Sequence, residues 1–210
     1  IGASLGLSLE GFKPIVEMQF SDFVSCGFNQ IINNLAKTHY RWESTVNVTV
    51  RMPTGGGVNA GPFHSQNLES IFTHIPGLKI VYPSNAFDAK GLLVSSINDP
   101  NPVLFFEHKL LYRTQKSNVP KEIYNLEIGK GKIVNKGSDI TIISYGLAVV
   151  WIKNLLDELM KESISIELID LRSLIPWDKE IVFESIKKTN RALIVHEANQ
   201  TSGFGAEIAA

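Results

Sequence analysis

Short apolar runs alternate with helix-period segments from one end of this 210-residue chain to the other, and that alternation constrains the fold most. Pro14 to Gln19 predicts a short strand. From Ser21 the apolar residues Phe23, Val24, Phe28, Ile31, Ile32 and Leu35 fall at helical spacing, with Ser21 or Asp22 as N-cap. Val46, Val48 and Val50 alternate as a strand ending at Arg51, and a glycine-rich loop, Pro53 to Gly61, follows. A helix is predicted near Gln66 to Thr73, stopped by Pro76-Gly77. Leu78 to Tyr82 reads as a strand, Ala86 to Ile97 as an amphipathic helix capped by Ser84 or Asn85, and Val103 to Phe106 as a buried strand.

Glu107 to Lys130 breaks the rhythm: it is polar, contains Pro120 and keeps no period. The alternation resumes with a strand at Asp139 to Ser144 and a helical stripe of Ala148, Ile152, Leu155, Leu156 and Leu159. A strand through Ile164, Ile166 and Leu168 follows, then a helix after Pro176 and a strand at Arg191 to His196. Repeated strand–helix–strand units imply mainly parallel sheets covered on both faces. The expected fold is α/β in two domains, residues 1–115 and 131–210, joined by a linker at 116–130. The chain opens at Ile1 inside a Gly/Ala/Leu pattern and closes in the first turns of an apolar helix, so a fragment or processed product is expected, its second domain cut short.

Charge excludes some classes of function. Lys and Arg number 20 against 21 Asp and Glu, which argues against a dedicated nucleic-acid binder. At 44% hydrophobic and 20% charged, the composition is that of a folded globule. No apolar run approaches the roughly 18 to 20 residues of a membrane span, and no signal-peptide pattern is present. A single cysteine, Cys26, forbids an intramolecular disulfide and fits a reducing compartment. A cytoplasmic or organelle-matrix protein is expected.

In open parallel sheets ligands sit beyond the carboxyl ends of the strands. That singles out Gln19 to Phe23, the loop from Met52 to His64, and the segments after Asp170 and His196. Gly55-Gly56-Gly57 lets the backbone approach a ligand closely, and His64-Ser65-Gln66 then brings a titratable imidazole to the start of a helix. A plain flexible loop fits the same residues equally well. An amide and an aromatic four residues apart, Gln19 and Phe23, suit a flat heterocycle, although core packing and capping are the commoner uses. His39, His74, His108 and His196 lack metal-ligand spacing, and no dinucleotide, P-loop, zinc-protease, serine-hydrolase or dithiol motif occurs.

Taken together, Pro14-Ile-Val-Glu-Met-Gln-Phe-Ser-Asp-Phe23, Gly61-Pro-Phe-His-Ser-Gln66, His74-Ile-Pro-Gly-Leu-Lys79, Asp99-Pro-Asn-Pro102, Asp170-Leu-Arg-Ser-Leu-Ile-Pro-Trp-Asp178 and His196-Glu197 run in one family's order. The chain resembles the beta subunits of thiamine-diphosphate-dependent 2-oxo acid dehydrogenases, in the transketolase-like superfamily. The resemblance implies a pyrimidine-binding domain followed by the superfamily's C-terminal domain. It implies a cofactor at a subunit interface, its diphosphate and Mg²⁺ gripped by an alpha-type subunit, or a fused alpha half, through a Gly-Asp-Gly motif that this chain lacks. Gln19 and Phe23 would then contact the aminopyrimidine, Phe23 by stacking where several relatives have Tyr, and His64 would be the active-site histidine. The family's N1′-bonding glutamate falls upstream of Ile1, and Glu10 and Glu17 do not match it.

A structural K⁺ is also implied, at Val46, Val48, Thr49, Ser96, Asp99 and Asn101, mostly through backbone carbonyls. The implied partners are the alpha chain, a second beta chain in a heterotetramer, and a lipoyl acyltransferase core; no nucleic acid or membrane is implied. The implied reaction is decarboxylation of a 2-oxo acid and reductive acylation of a lipoyl domain, with Pro176-Trp177-Asp178 tilting toward branched-chain relatives. Alternatives are a pyruvate or acetoin dehydrogenase beta subunit, a transketolase-type carbohydrate enzyme, and a non-catalytic scaffold.

Overall fold

The computed structural model describes residues 1–210. The strands are β1 (Ile15–Glu17), β2 (Thr49–Thr54), β3 (Lys79–Val81), β4 (Val103–His108), β5 (Lys132–Asn135), β6 (Ile140–Ser144), β7 (Ile166–Asp170), β8 (Ser173–Ile175) and β9 (Ala192–Val195). The α-helices are α1 (Gly2–Leu9), α2 (Ala36–Trp42), α3 (Glu69–Thr73), α4 (Ala86–Asn98), α5 (Leu111–Thr114), α6 (Leu147–Lys161), α7 (Lys179–Thr189) and α8 (Phe204–Ala209). They build two sheets, ordered β1-β2-β4-β3-β8 and β5-β7-β6-β9. Every pairing is parallel except β3 with β8 and β5 with β7, as the alternation of strands and helices requires.

The second half of the chain reaches into the first sheet. Strand β8 pairs antiparallel beside β3, and the Tyr82 amide donates to the Arg172 carbonyl at 2.8 Å. One apolar core joins both halves, with Val50, Met52, Phe72 and Phe106 from the first packed in one cluster with Ile143, Tyr145, Ile169, Leu174 and Phe204 from the second. Burial of that size makes truncation of a side chain such as Phe72 cost roughly 3 to 5 kcal/mol. Between Thr114 and Lys132 there is no helix or strand, yet Tyr124 and Leu126 lie against α4, where Tyr124 Oη donates to the Phe87 carbonyl at 2.7 Å.

Several local expectations change in three dimensions. β2 does not end at Arg51 but continues to Thr54, and Val46, Val48, Val50 and Met52 are all fully enclosed. A central parallel strand is buried on both faces, so its residues do not alternate between core and solvent. The segment from Ser21 to Leu35 is a 3-10 helix (Ser21–Gly27) followed by a π-helix (Gln30–Leu35), not one α-helix. Neither Ser21 nor Asp22 caps it: Ser21 Oγ donates to Thr54 Oγ1 at 2.9 Å, and Asp22 Oδ1 accepts from the Gln66 amide at 3.0 Å. Both side chains are spent on tertiary bonds. β4 also runs on through Glu107 and His108.

In α6 Leu147 to Val150 and Ile152 are buried and Leu156 and Leu159 pack against the core, while Leu155 is 47% exposed and off the predicted stripe. Two caps hold as ordinary helix starts. Asn85 Oδ1 accepts from the Asp88 amide at 2.9 Å to open α4, and Asp178 Oδ1 accepts from the Ile181 amide at 3.3 Å to open α7. Caps of this kind stabilise by about 1 kcal/mol.

Candidate functional site

The carboxyl ends of β1, β2 and β4 bring three connections together: Gln19 to Phe23, the loop after Thr54, and His108-Lys109. His64 closes a 3-10 turn (Pro62–His64), and the next helix waits until Glu69, so His64 does not open a helix as the spacing had predicted. Its half-buried ring is met edge-on by two aromatics, Phe20 at 5.8 Å and Phe23 at 5.4 Å between centroids. Phe23 is 40% exposed, which leaves an open aromatic face beside the imidazole, and Gln19 is exposed on the segment that leads from β1 to Phe23. Neither residue is in the core, and Gln19 caps nothing. Of the predicted trio, Phe23 and His64 meet at the carboxyl ends of the first sheet's strands, and Gln19 lies on the connection that follows β1.

Beneath the loop lies a polar clamp that sequence reasoning left as scattered residues. His108, buried at the end of β4, faces Glu197 with Nε2 2.5 Å from Oε2, and Glu197 Oε1 accepts from the Gly56 amide at 2.9 Å. The Leu110 amide donates to His108 Nδ1 at 3.2 Å, which assigns the ring proton toward Glu197 to Nε2. Burial alone would push the Glu197 carboxyl up, but the bonds from His108 and Gly56 and the nearby Asn67 amide outweigh it and hold it below the usual range. Gly55 is required here: at φ +85° a Cβ would stand 2.0 Å from His108 Nε2.

Lys109, also buried, donates to the His64 carbonyl at 2.8 Å. Behind the loop, the fully buried Glu69 accepts from Tyr145 Oη at 2.9 Å, joining α3 to the second half of the chain. Desolvation pushes its carboxyl to about 7. Tyr145 stacks on His196 at 5.9 Å, so His196 serves the wall of the site while Glu197 reaches the loop.

The segment after Asp170 does not join this group. Asp170 accepts from Ser84 Oγ at 2.5 Å, and Arg172 pairs with buried Asp88 at 3.2 Å while bonding the Lys130 carbonyl. Those residues fasten the second half of the chain to the first. Asp178 likewise serves as a cap, and Trp177 packs edge-on against Phe183, so Pro176-Trp177-Asp178 is structural in this chain. Glu17 pairs with Arg51 at 2.9 Å, and Glu10 ends α1.

A second convergence joins the start of β2 to the end of α4. The Val46 amide donates to the Pro100 carbonyl at 3.1 Å and Asn47 Nδ2 to the Asp99 carbonyl at 2.6 Å. The Val48, Ser96 and Asp99 carbonyls each accept one bond and keep a second lone pair. Asp99 Oδ1 accepts from the Asn101 amide and side chain, and its Oδ2 pairs with Lys79 at 2.5 Å. Thr49 Oγ1 is buried with no hydrogen-bond partner. No group of three His, Cys, Asp or Glu suited to a metal ion occurs, and no helix is long and apolar enough to cross a membrane.

Residues 1–115 match the transketolase pyrimidine-binding domain, and residues 129–210 match the transketolase C-terminal domain. The subunit beta 2 of mitochondrial 2-oxoisovalerate dehydrogenase from Arabidopsis thaliana is 46% identical over 213 residues, spanning all of this chain and 60% of that protein. The 2-oxoisovalerate dehydrogenase subunit beta of Bacillus subtilis is 44% identical over 211 residues, again across this whole chain and 64% of its own length. The pyruvate dehydrogenase E1 component subunit beta of Staphylococcus aureus is also 44% identical over 211 residues, with 65% of its length covered. The chain thus spans less than two thirds of the length of these relatives. Among solved structures, a split-gene transketolase described as an inactive beta4 tetramer superposes with a TM-score of 0.82 at 23% identity, over 99% of this chain and 65% of that one, which is a likeness of fold.

Proposed function

Because this chain belongs to the transketolase family, through both its pyrimidine-binding and its C-terminal domains, we propose that it is the beta subunit of a thiamine-diphosphate-dependent 2-oxo acid dehydrogenase. It works with an alpha-type partner, takes a branched-chain 2-oxo acid in preference to pyruvate, and delivers the acyl group to the lipoyl domain of an acyltransferase core. The observation that carries this reading is the exposed Phe23 ring set against the His64 imidazole at the carboxyl ends of parallel strands. The preference for a branched-chain substrate is supported by the relatives named 2-oxoisovalerate dehydrogenase subunit beta, one of them 46% identical over this whole chain.

When bound, thiamine diphosphate supplies the electron sink that decarboxylation needs. The chain's own residues bind, orient and move protons. Phe23 offers an aromatic surface to a flat aminopyrimidine, and Gln19 offers an amide that both donates and accepts. His64 brings ring nitrogens that take up and return a proton beside that surface. The Phe20 and Phe23 edges fix its ring and exclude water from two sides. Mg²⁺ and the diphosphate are assigned to the alpha-type partner. K⁺ is assigned to Val46, Val48, Thr49, Ser96, Asp99 and Asn101, an assignment supported by the unpartnered Thr49 hydroxyl.

The test is CO₂ release by the full-length gene product assembled with its alpha-type partner, thiamine diphosphate and Mg²⁺. Faster turnover of branched-chain oxo acids than of pyruvate is expected. His64→Ala is expected to slow turnover by about 10²- to 10⁴-fold while the complex still assembles. Wild-type turnover in that variant would remove His64 from the mechanism, and no release from any oxo acid would overturn the functional reading.

A further inference from the structure

We propose that Lys109 is a positioning residue for His64, anchoring the loop that carries the imidazole; the inference rests on the reading of His64 above and adds the group that holds it in place. Lys109 follows β4 directly, and its side chain is only 6% exposed. An ammonium that deep is costly to bury unless it is paired and hydrogen-bonded. Its position is therefore informative about what it holds.

Three partners surround it. Nζ donates to the His64 main-chain carbonyl at 2.8 Å, stands 3.9 Å from Asp22 Oδ2, and lies 4.5 Å from the centroid of the Phe20 ring. These partners belong to the glycine-rich connection, the 3-10 helix and the aromatic face, the three pieces whose relative placement defines the site. Asp22 completes the anchor. Its side chain is fully enclosed, Oδ1 accepts from the Gln66 amide at 3.0 Å, and Oδ2 has no hydrogen-bond partner of its own.

The cation thus fixes the loop at residue 64 and the anion fixes it at residue 66. The upstream end of the same loop is held through Gly56 by Glu197, which also takes the bond from His108. Adjacent residues at the end of β4 therefore take part in fastening both ends of the loop. Because Lys109 bonds the backbone and not the ring, it acts through His64. A charge-assisted bond of this kind is among the stronger ones in a protein.

The test uses the full-length chain assembled with its alpha-type partner, read by amide hydrogen exchange and by oxo-acid turnover. Lys109→Met keeps the aliphatic stem and removes the charge; Lys109→Arg keeps the charge. In Lys109→Met, exchange over residues 61–67 is expected to rise about tenfold or more, with β7 unchanged. The kcat is expected to fall on the order of 100-fold with little change in KM, as misplacement of a reacting group predicts. Lys109→Arg is expected to recover part of both.

Unchanged protection over 61–67, or loss spread evenly along the chain, would overturn the proposal whatever the turnover. Should Lys109→Met fail to fold, Asp22→Ala leaves the cation in place, removes the acceptor for the Gln66 amide and is expected to loosen the same residues; undiminished protection there would likewise overturn it. Local loosening in a complex whose wild type turns over no oxo acid would support the anchor and refute the oxo-acid reading, so the two failures are distinguishable.

Discussion

Glu69 makes the stability of this protein depend on pH in a direction opposite to that of a salt-bridged carboxylate. Its carboxyl is 0% exposed, Oε1 accepts from Tyr145, and Oε2 has no partner. Burial pushes its pKa from the ordinary 4.5 to about 7, against the lowering effect of its own backbone bond and of Tyr145. Between those values the folded protein holds a proton that the unfolded chain has released. Stability therefore falls as pH rises from 4.5 to about 7 and levels off above that.

At about 1.4 kcal/mol for each tenfold change in proton affinity, the full effect is about 3 kcal/mol by pH 8. Glu69→Gln keeps the shape and the acceptor for Tyr145 but carries no charge. It should match the wild type within about 1 kcal/mol at pH 5 and exceed it by about 3 kcal/mol at pH 8. Asp170, also pushed up to about 7 by burial, titrates in the same window but is present in both proteins and cancels in the difference. Urea unfolding of the two proteins at pH 5, 6, 7 and 8 measures it. An equal difference at pH 5 and pH 8 would refute the burial argument.

Phe23→Ala should leave the melting temperature nearly unchanged, because a side chain 40% exposed lacks the burial that makes core truncations cost roughly 3 to 5 kcal/mol. Thiamine diphosphate titrated into the assembled complex should bind more weakly; a large stability loss with intact binding would return Phe23 to a packing role. Thr49→Val should abolish any rise in melting temperature on exchanging NaCl for KCl, and without K⁺ it should be at least as stable as the wild type, since it deletes a buried hydroxyl that has no partner. Equal stabilisation of both proteins by K⁺ would remove Thr49 from the ion's shell.

Much of the first sheet was legible because short buried strands and turn residues are local signals. Leu78 to Tyr82 and Val103 to Phe106 announce β3 and β4, and Asn85 announces the start of α4 by its own capping chemistry. Elements whose side chains were claimed by distant partners read poorly. Ser21 and Asp22 look like caps, but Thr54 and Gln66 take their hydrogen bonds, and the segment winds as 3-10 and π-helix. The second half's strand Ser173–Ile175 carries no mark of its pairing with the first sheet.

By itself the sequence determined the α/β alternation and the family, and it put forward the trio of Gln19, Phe23 and His64, because periodicity and motif order are properties of consecutive residues. Only the tertiary structure decided which charges hold that trio. Glu197 lies 141 residues from the amide it accepts, and Lys109 lies 45 residues from the carbonyl it binds. No spacing rule reaches across such separations. A buried charge is placed by whatever partner the fold brings within hydrogen-bonding distance, and that partner is known only once the sheets have packed.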